Sequence, residues 1–137
     1  MGFKDTVRKY ISSSTETRED HPDENLRTHY YKSSKDKVLK EVEAMIGQRQ
    51  GLSVQSVSPE RGEMIIRSDA GKSVFIVATV IMVRPYRTAL DFSVTTETVM
   101  PTDFGYSRKL VYELYKNVNS RLTFVGTGLG EDLTKGL

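Results

Sequence analysis

The chain has 137 residues, 37% of them hydrophobic and 28% charged, which is the make-up of a single ordinary globular domain. Twenty Lys and Arg against eighteen Asp and Glu give a net charge of only +2, so composition alone does not mark a nucleic-acid binder. The absence of Cys excludes disulfides, thiolate catalysis, Cys-ligated zinc and iron–sulfur clusters, and no apolar run reaches the roughly 18 residues of a membrane span.

The chain opens on Met1-Gly2-Phe3-Lys4-Asp5-Thr6, which lacks the apolar core of a secretory signal, so a cytoplasmic protein is expected. Over residues 1 to 12, Phe3, Val7, Tyr10 and Ile11 share one face of a 3.6-residue period, with Lys4, Arg8 and Lys9 as basic neighbours. This reads as a short amphipathic helix. From Ser12 to Asn25 the residues are polar, and a segment with so little to bury is expected to be a linker or mobile arm. Residues 1 to 25 are therefore set apart from a single α+β domain over residues 26 to 137.

Leu26 to Lys32 is aromatic-rich and reads as a strand. Ser33-Ser34-Lys35-Asp36 supplies a helix start, and Val38, Leu39, Val42, Met45 and Ile46 form one apolar stripe, with Gly47 or Gly51 as a stop. Four strands follow: Leu52 to Val57, Glu63 to Ser68, Lys72 to Val83 and Thr88 to Val99. Their connections are Ser58-Pro59-Glu60-Arg61-Gly62, Asp69-Ala70-Gly71 and Arg84-Pro85-Tyr86-Arg87. The last strand alternates cleanly, with Leu90, Phe92 and Val94 opposite Asp91, Ser93 and Thr95. The third is apolar on both faces: Val74, Ile76, Ala78, Val80 and Met82 on one, Phe75, Val77, Ile81 and Val83 on the other. Both faces should therefore be covered. Thr102 or Asp103 is expected to cap a final helix with a stripe of Leu110, Val111, Leu114, Tyr115 and Val118. An apolar tail, Leu122-Thr123-Phe124-Val125, precedes Gly126-Thr127-Gly128-Leu129-Gly130.

The order β-α-β-β-β-β-α is best satisfied by an antiparallel sheet with helices on one face. It resembles the TATA-binding-protein-like topology, whose relatives include helix-grip ligand-binding folds.

Each candidate chemistry has a plainer counterpart. Glu19-Asp20-His21-Pro22-Asp23-Glu24 has metal-ligand residue types, but a solvated acidic linker is the simpler reading. His29, on a strand, is most simply a polar surface or half-buried residue. No Ser lies in a nucleophile-elbow pattern. The glycine run after Val125 is neither a dinucleotide nor a Walker motif. The first six residues fit a loose myristoylation pattern, and a basic amphipathic arm allows membrane contact, but docking of Phe3, Val7 and Ile11 on the sheet is preferred. Arg84, Arg87, Arg108 and Lys109 are read as part of a mixed solvated surface rather than a nucleic-acid site. No cofactor or metal is expected.

Asp91 to Val111, above all Thr102-Asp103-Phe104-Gly105-Tyr106-Ser107-Arg108-Lys109, resembles the end of an uncharacterised bacterial domain family, the domain of unknown function numbered fourteen-ninety-nine. Asp103, Gly105 and Arg108 carry the resemblance, and Leu26 to Tyr31 is similar to the family's opening strand. Ser107 stands where the family usually has Asn, and Thr95, Thr96 and Thr98 stand where it has arginines. The resemblance implies no activity.

The two-sided strand points to a domain that binds something. The apolar face, or a cavity between sheet and last helix, is expected to take an apolar small ligand or a partner chain. The candidate residues are Phe75, Val77, Arg84, Tyr86, Phe92, Asp103, Arg108 and Tyr115. The alternative is a homo-oligomer whose covered face is structural. A third reading is an enzyme, of hydrolase type, using Asp91, Asp103, Arg84 or Tyr86 in a cleft.

Overall fold

A computed structural model describes residues 14–68, 73–97 and 105–127. In chain order the elements are β1 (Ser14–Glu16), a 3-10 turn (Glu24–Leu26), β2 (His29–Tyr31), α1 (Lys35–Gly47), β3 (Leu52–Ser58), β4 (Glu63–Ser68), β5 (Ser73–Arg84), β6 (Arg87–Glu97), α2 (Tyr106–Asn119) and β7 (Phe124–Thr127). The fold class is α+β. The strands form one sheet in the order β3-β4-β5-β6-β2-β7, with β1 also on β6, and every pairing is antiparallel.

Local chemistry accounts for most of these elements. Ser34, in an extended conformation, accepts a hydrogen bond from the Lys37 N–H at 3.2 Å and starts α1. All five residues of the expected α1 stripe are buried, as are all five of the α2 stripe. They close over the inner face of the sheet, where Val74, Ile76, Ala78 and Val80 of β5 meet Leu90, Phe92 and Val94 of β6. The β3–β4 turn depends on Gly62. Its φ is +68°, its carbonyl accepts the Val80 N–H at 2.7 Å, and a Cβ there would lie 2.1 Å from the Val80 oxygen.

The structure corrects the expected start of the domain. Ser14–Glu16 pairs with Thr95, Val94 and Ser93 of β6, so these three residues of the polar segment belong to the sheet instead of preceding it. The physical reason is that hydrogen bonding, not apolar burial, holds them. The strand expected from Leu26 is also shorter: Leu26 sits in the 3-10 turn with its side chain fully buried, and only His29–Tyr31 pairs with β6. The expected tail after Leu122 becomes β7, an edge strand on β2. Helix α2 is led in by Gly105 at φ +79°, not by the expected caps Thr102 or Asp103. Those two residues, the expected N-terminal helix, the Asp69-Ala70-Gly71 turn and the glycine run beyond Thr127 lie outside the described residues.

Strands β1 and β2 share the same edge of β6, and the chain leaves that edge between them through residues 18–28. Two backbone bonds close the excursion, Arg18 N–H to Leu26 O at 3.1 Å and Thr28 N–H to Arg18 O at 3.3 Å. Its neck is tied at Asp91. The Thr17 and Thr28 hydroxyls both donate to Asp91 Oδ1, at 2.7 and 2.6 Å, and Thr17 Oγ1 accepts the Phe92 N–H at 2.9 Å. The Tyr115 hydroxyl, reaching up from α2, donates to the Leu90 carbonyl at 2.8 Å and lies 3.1 Å from Thr17 Oγ1. Burial pushes the Asp91 carboxyl above its ordinary range, while the two hydroxyl donors pull it back.

Replacing Thr17 by Val keeps the shape but strips the Phe92 N–H of its acceptor and Asp91 of one donor. Thr17→Val should cost about 2–3 kcal/mol in urea unfolding, and Thr17→Ser should recover most of it. A Val variant as stable as the parent would show that the knot is incidental.

Candidate functional site

The structure separates the residues that the sequence suggested as one cavity. Register alternation places Phe75 opposite Thr95 and Val77 opposite Ser93, facing away from the helices. Phe92 faces inward with Ala78, and Tyr115 packs beneath it with ring centroids 5.1 Å apart. A single cavity lined by Phe75, Val77, Phe92 and Tyr115 therefore does not form, because consecutive residues of a strand point to opposite faces. Arg84 and Tyr86 are brought together at the β5–β6 turn, where Tyr86 is 67% exposed with φ +56°. Arg108 pairs with Asp23 at 3.2 Å. Asp103 lies outside the described residues. The trio Asp91, Arg84 and Tyr86 does not converge: Asp91 is held in the knot, four positions along β6 from Arg87, or about 13 Å of strand.

Phe75 and Val77 are half-buried and Ile81 is exposed, so the outer face of β5 is open among the described residues. The Arg67 guanidinium lies 4.7 Å from the Phe75 ring centroid and shields part of it.

A different site emerges where the excursion meets α2. A cleft of about 250 Å³ is lined by Asn25, His29, Tyr112, Tyr115, Lys116 and Asn119. Its floor is His29, only 7% exposed, stacked on Tyr115 at 3.6 Å between centroids with the rings 5° from parallel. Phe124 of β7 flanks the same imidazole at 4.5 Å. The Tyr31 hydroxyl donates to Asn119 Oδ1 at 2.5 Å. His29 Nδ1 lies 3.2 Å from that same Oδ1 and 3.3 Å from the Tyr31 oxygen. With the tyrosine proton on Asn119 Oδ1, the arrangement that satisfies this trio places the ring proton on Nδ1. Nε2 then holds a lone pair, and it has no hydrogen-bond partner among the described residues.

One wall of the cleft is fixed by a second cluster. The Asp23 carboxylate accepts from the Tyr112 hydroxyl at 2.5 Å and from the Asn25 N–H at 2.9 Å. The Tyr112 bond and then the Asn25 bond hold the Asp23 carboxyl below the ordinary range. This anchors the acidic stretch to α2, and the Tyr30 hydroxyl anchors it again by donating to Glu19 at 2.7 Å. Among the described residues no three His, Asp or Glu side chains gather as a metal site requires. No described helix is long and apolar enough to cross a membrane. A wider groove of about 460 Å³ lies between the ends of α1 and α2. Its charged groups are already engaged, Arg49 with Glu113 and Arg121 with Glu41.

Sequence reasoning missed His29 as a site residue. The available signal was a histidine beside two tyrosines in a short strand, His29-Tyr30-Tyr31; the structure buries all three. Nothing local pointed to Asn119, which lies 90 positions away. Comparison of the chain with family models, curated proteins and solved structures gives no match.

Burial holds the His29 imidazole down to about 4, against an ordinary 6.5, with the Asn119 bond opposing that shift. Between those values the unfolded chain takes up a proton that the native state refuses. The contribution is therefore full above pH 6.5 and is lost as the pH falls toward 4, by about 3 kcal/mol in all. Urea unfolding at a series of pH values should show this loss, and His29→Phe should lose that share of the acid sensitivity. Identical pH slopes for the two proteins would contradict it.

Proposed function

We propose that the chain is a non-enzymatic ligand-binding domain that holds a small anionic ligand in the cleft between the 18–28 excursion and α2. The observation that carries this reading is the His29 imidazole lining the cleft, stacked on Tyr115 with Nδ1 against the Tyr31–Asn119 pair, an arrangement that leaves Nε2 to accept. A buried ring held neutral at physiological pH is a good hydrogen-bond acceptor. An imidazole at about 4 is poorly matched to proton transfer near pH 7, which favours binding over acid–base catalysis. Donors also line the cleft: the Lys116 ammonium and the NH2 groups of the Asn25 and Asn119 amides.

A ligand that satisfies this set carries a carboxylate for the cation and a hydroxyl that donates to Nε2. The volume equals that of about eight waters at roughly 30 Å³ each, room for a small organic acid. The element order, which resembles helix-grip-like folds, agrees with a ligand placed between sheet and final helix, although such analogy by itself carries no function.

Titration with lactate, mandelate and 4-hydroxybenzoate, followed through the His29 ring resonances by NMR, is the test. At least one of the three should give a saturable shift of the His29 ring, weakened tenfold or more by Lys116→Ala; the same loss in His29→Phe is read on the Tyr115 and Tyr112 ring resonances. If none of the three perturbs the His29 ring, the cleft is not a site for this class of ligand and the reading fails.

A further inference from the structure

Helix α2 gives Tyr112, Tyr115, Lys116 and Asn119 to the cleft, a spacing of three and four residues that puts them on one helix face. Asn119, the last residue of α2, is tied to two side chains of β2. Its Oδ1 accepts the Tyr31 hydroxyl at 2.5 Å and lies 3.2 Å from His29 Nδ1. An amide oxygen has no proton to give, so the ring nitrogen beside it supplies one. A neutral imidazole has a single N–H, and that bond uses it on the side turned to Asn119 and Tyr31. The nitrogen left to a ligand is Nε2, which then only accepts. Tyr115 at 3.6 Å and Phe124 at 4.5 Å between centroids hold the ring plane.

We infer that Asn119 is a positioning residue for specificity: by keeping the ring proton on Nδ1, it makes the cleft select a hydroxy acid over an analogue of the same size that has no hydroxyl proton. The inference rests on the cleft reading above and adds a selectivity to it. The Lys116 ammonium and the Asn25 NH2 suit carboxylate oxygens, and the carboxylate is common to both members of such a pair. The difference falls on Nε2. A hydroxyl donates to it. A carbonyl oxygen or a fluorine in the same place sets lone pair against lone pair and leaves a desolvated acceptor unpaired. A site built around a hydrogen bond to a ligand hydroxyl rejects the analogue without it more strongly than an apolar pocket rejects a change of size. Asn119 exerts this through His29, since its own oxygen is spent on the ring and on Tyr31. The Tyr31 oxygen, 3.3 Å from Nδ1, is the weaker partner, because Oδ1 is nearer and holds the tyrosine proton as well.

Three pairs of acids matched in size read the selectivity: lactate with pyruvate, mandelate with phenylglyoxylate, and 4-hydroxybenzoate with 4-fluorobenzoate. Each is titrated into the full chain and followed on the Tyr115 and Tyr112 ring resonances. In every pair that binds, the hydroxy acid should be tighter by about tenfold or more. Asn119→Leu, close in size but without an acceptor, should bring that ratio to within about threefold, and the NH2 lost with it affects both members alike. Long-range proton–nitrogen NMR on the same variant should show rings protonated on Nε2. Tyr31→Phe should keep the parent ratio, because Oδ1 still accepts from Nδ1. The parent ratio needs no variant, so a poorly folding Asn119→Leu protein does not shield the claim. Equal affinities within a binding pair, a preference for the acid without the hydroxyl, or a ratio that Asn119→Leu leaves unchanged overturns the inference while the cleft stands as a binding site. Binding by none of the six acids overturns the cleft reading and the inference with it.

Discussion

One edge of β6 carries two strands, and the join between them is polar. Strand β1 covers Ser93–Thr95 and β2 covers Thr88–Leu90, leaving Asp91 and Phe92 at the gap. The two threonine hydroxyls on Asp91 Oδ1 close that gap. The consequences spread outward from there. The knot fixes where the excursion leaves and returns, and so where His29 begins β2. It draws the Tyr115 hydroxyl up to Leu90, which brings the tyrosine ring parallel to the imidazole. The cleft is thus framed by residues from both sides of the knot. Its polar character is unusual for the middle of a sheet edge, and it holds because each of these hydroxyls has a partner.

The two faces of β5 divide the molecule. The inner face is the core and needs no further account: Ile76 and Ala78 are fully buried beneath helix stripes that were plain in the 3.6-residue period. The outer face is a row of half-buried and exposed apolar residues that ends in the projecting hairpin. Apolar surface left in water is unfavourable in proportion to its area. That surface is concentrated at the tip, in Ile81, Met82, Val83 and Tyr86. The cleft and the tip lie at different places in the fold, one lined by polar and aromatic groups, the other apolar and exposed.

Regular elements were legible because their signals are local. The α1 and α2 stripes, the β4 boundaries and the break around Pro85, expected over Arg84 to Arg87 and found to be the two residues Pro85 and Tyr86, follow from periodicity and turn chemistry within a few residues. What escaped was held together by contacts distant in sequence. Ser14–Glu16 has no strand-like composition and is ordered by pairing with Thr95, Val94 and Ser93. Asp23 looked like a solvated linker acid until Tyr112 was placed beside it. His29 acquired its character from Asn119, and hydropathy patterns carry no trace of such a pair. Phe75, Val77, Phe92 and Tyr115 were each plausible, but only strand alternation in its actual register shows that two face out and two face in.

The central claim is that His29 is held neutral, in one tautomer, with its acceptor nitrogen toward the cleft. Long-range proton–nitrogen correlation NMR on the imidazole reads this directly. The account predicts a protonated Nδ1, an unprotonated Nε2 and no titration until the pH falls well below 5. A ring protonated on Nε2, or one that titrates near its ordinary 6.5, would contradict it.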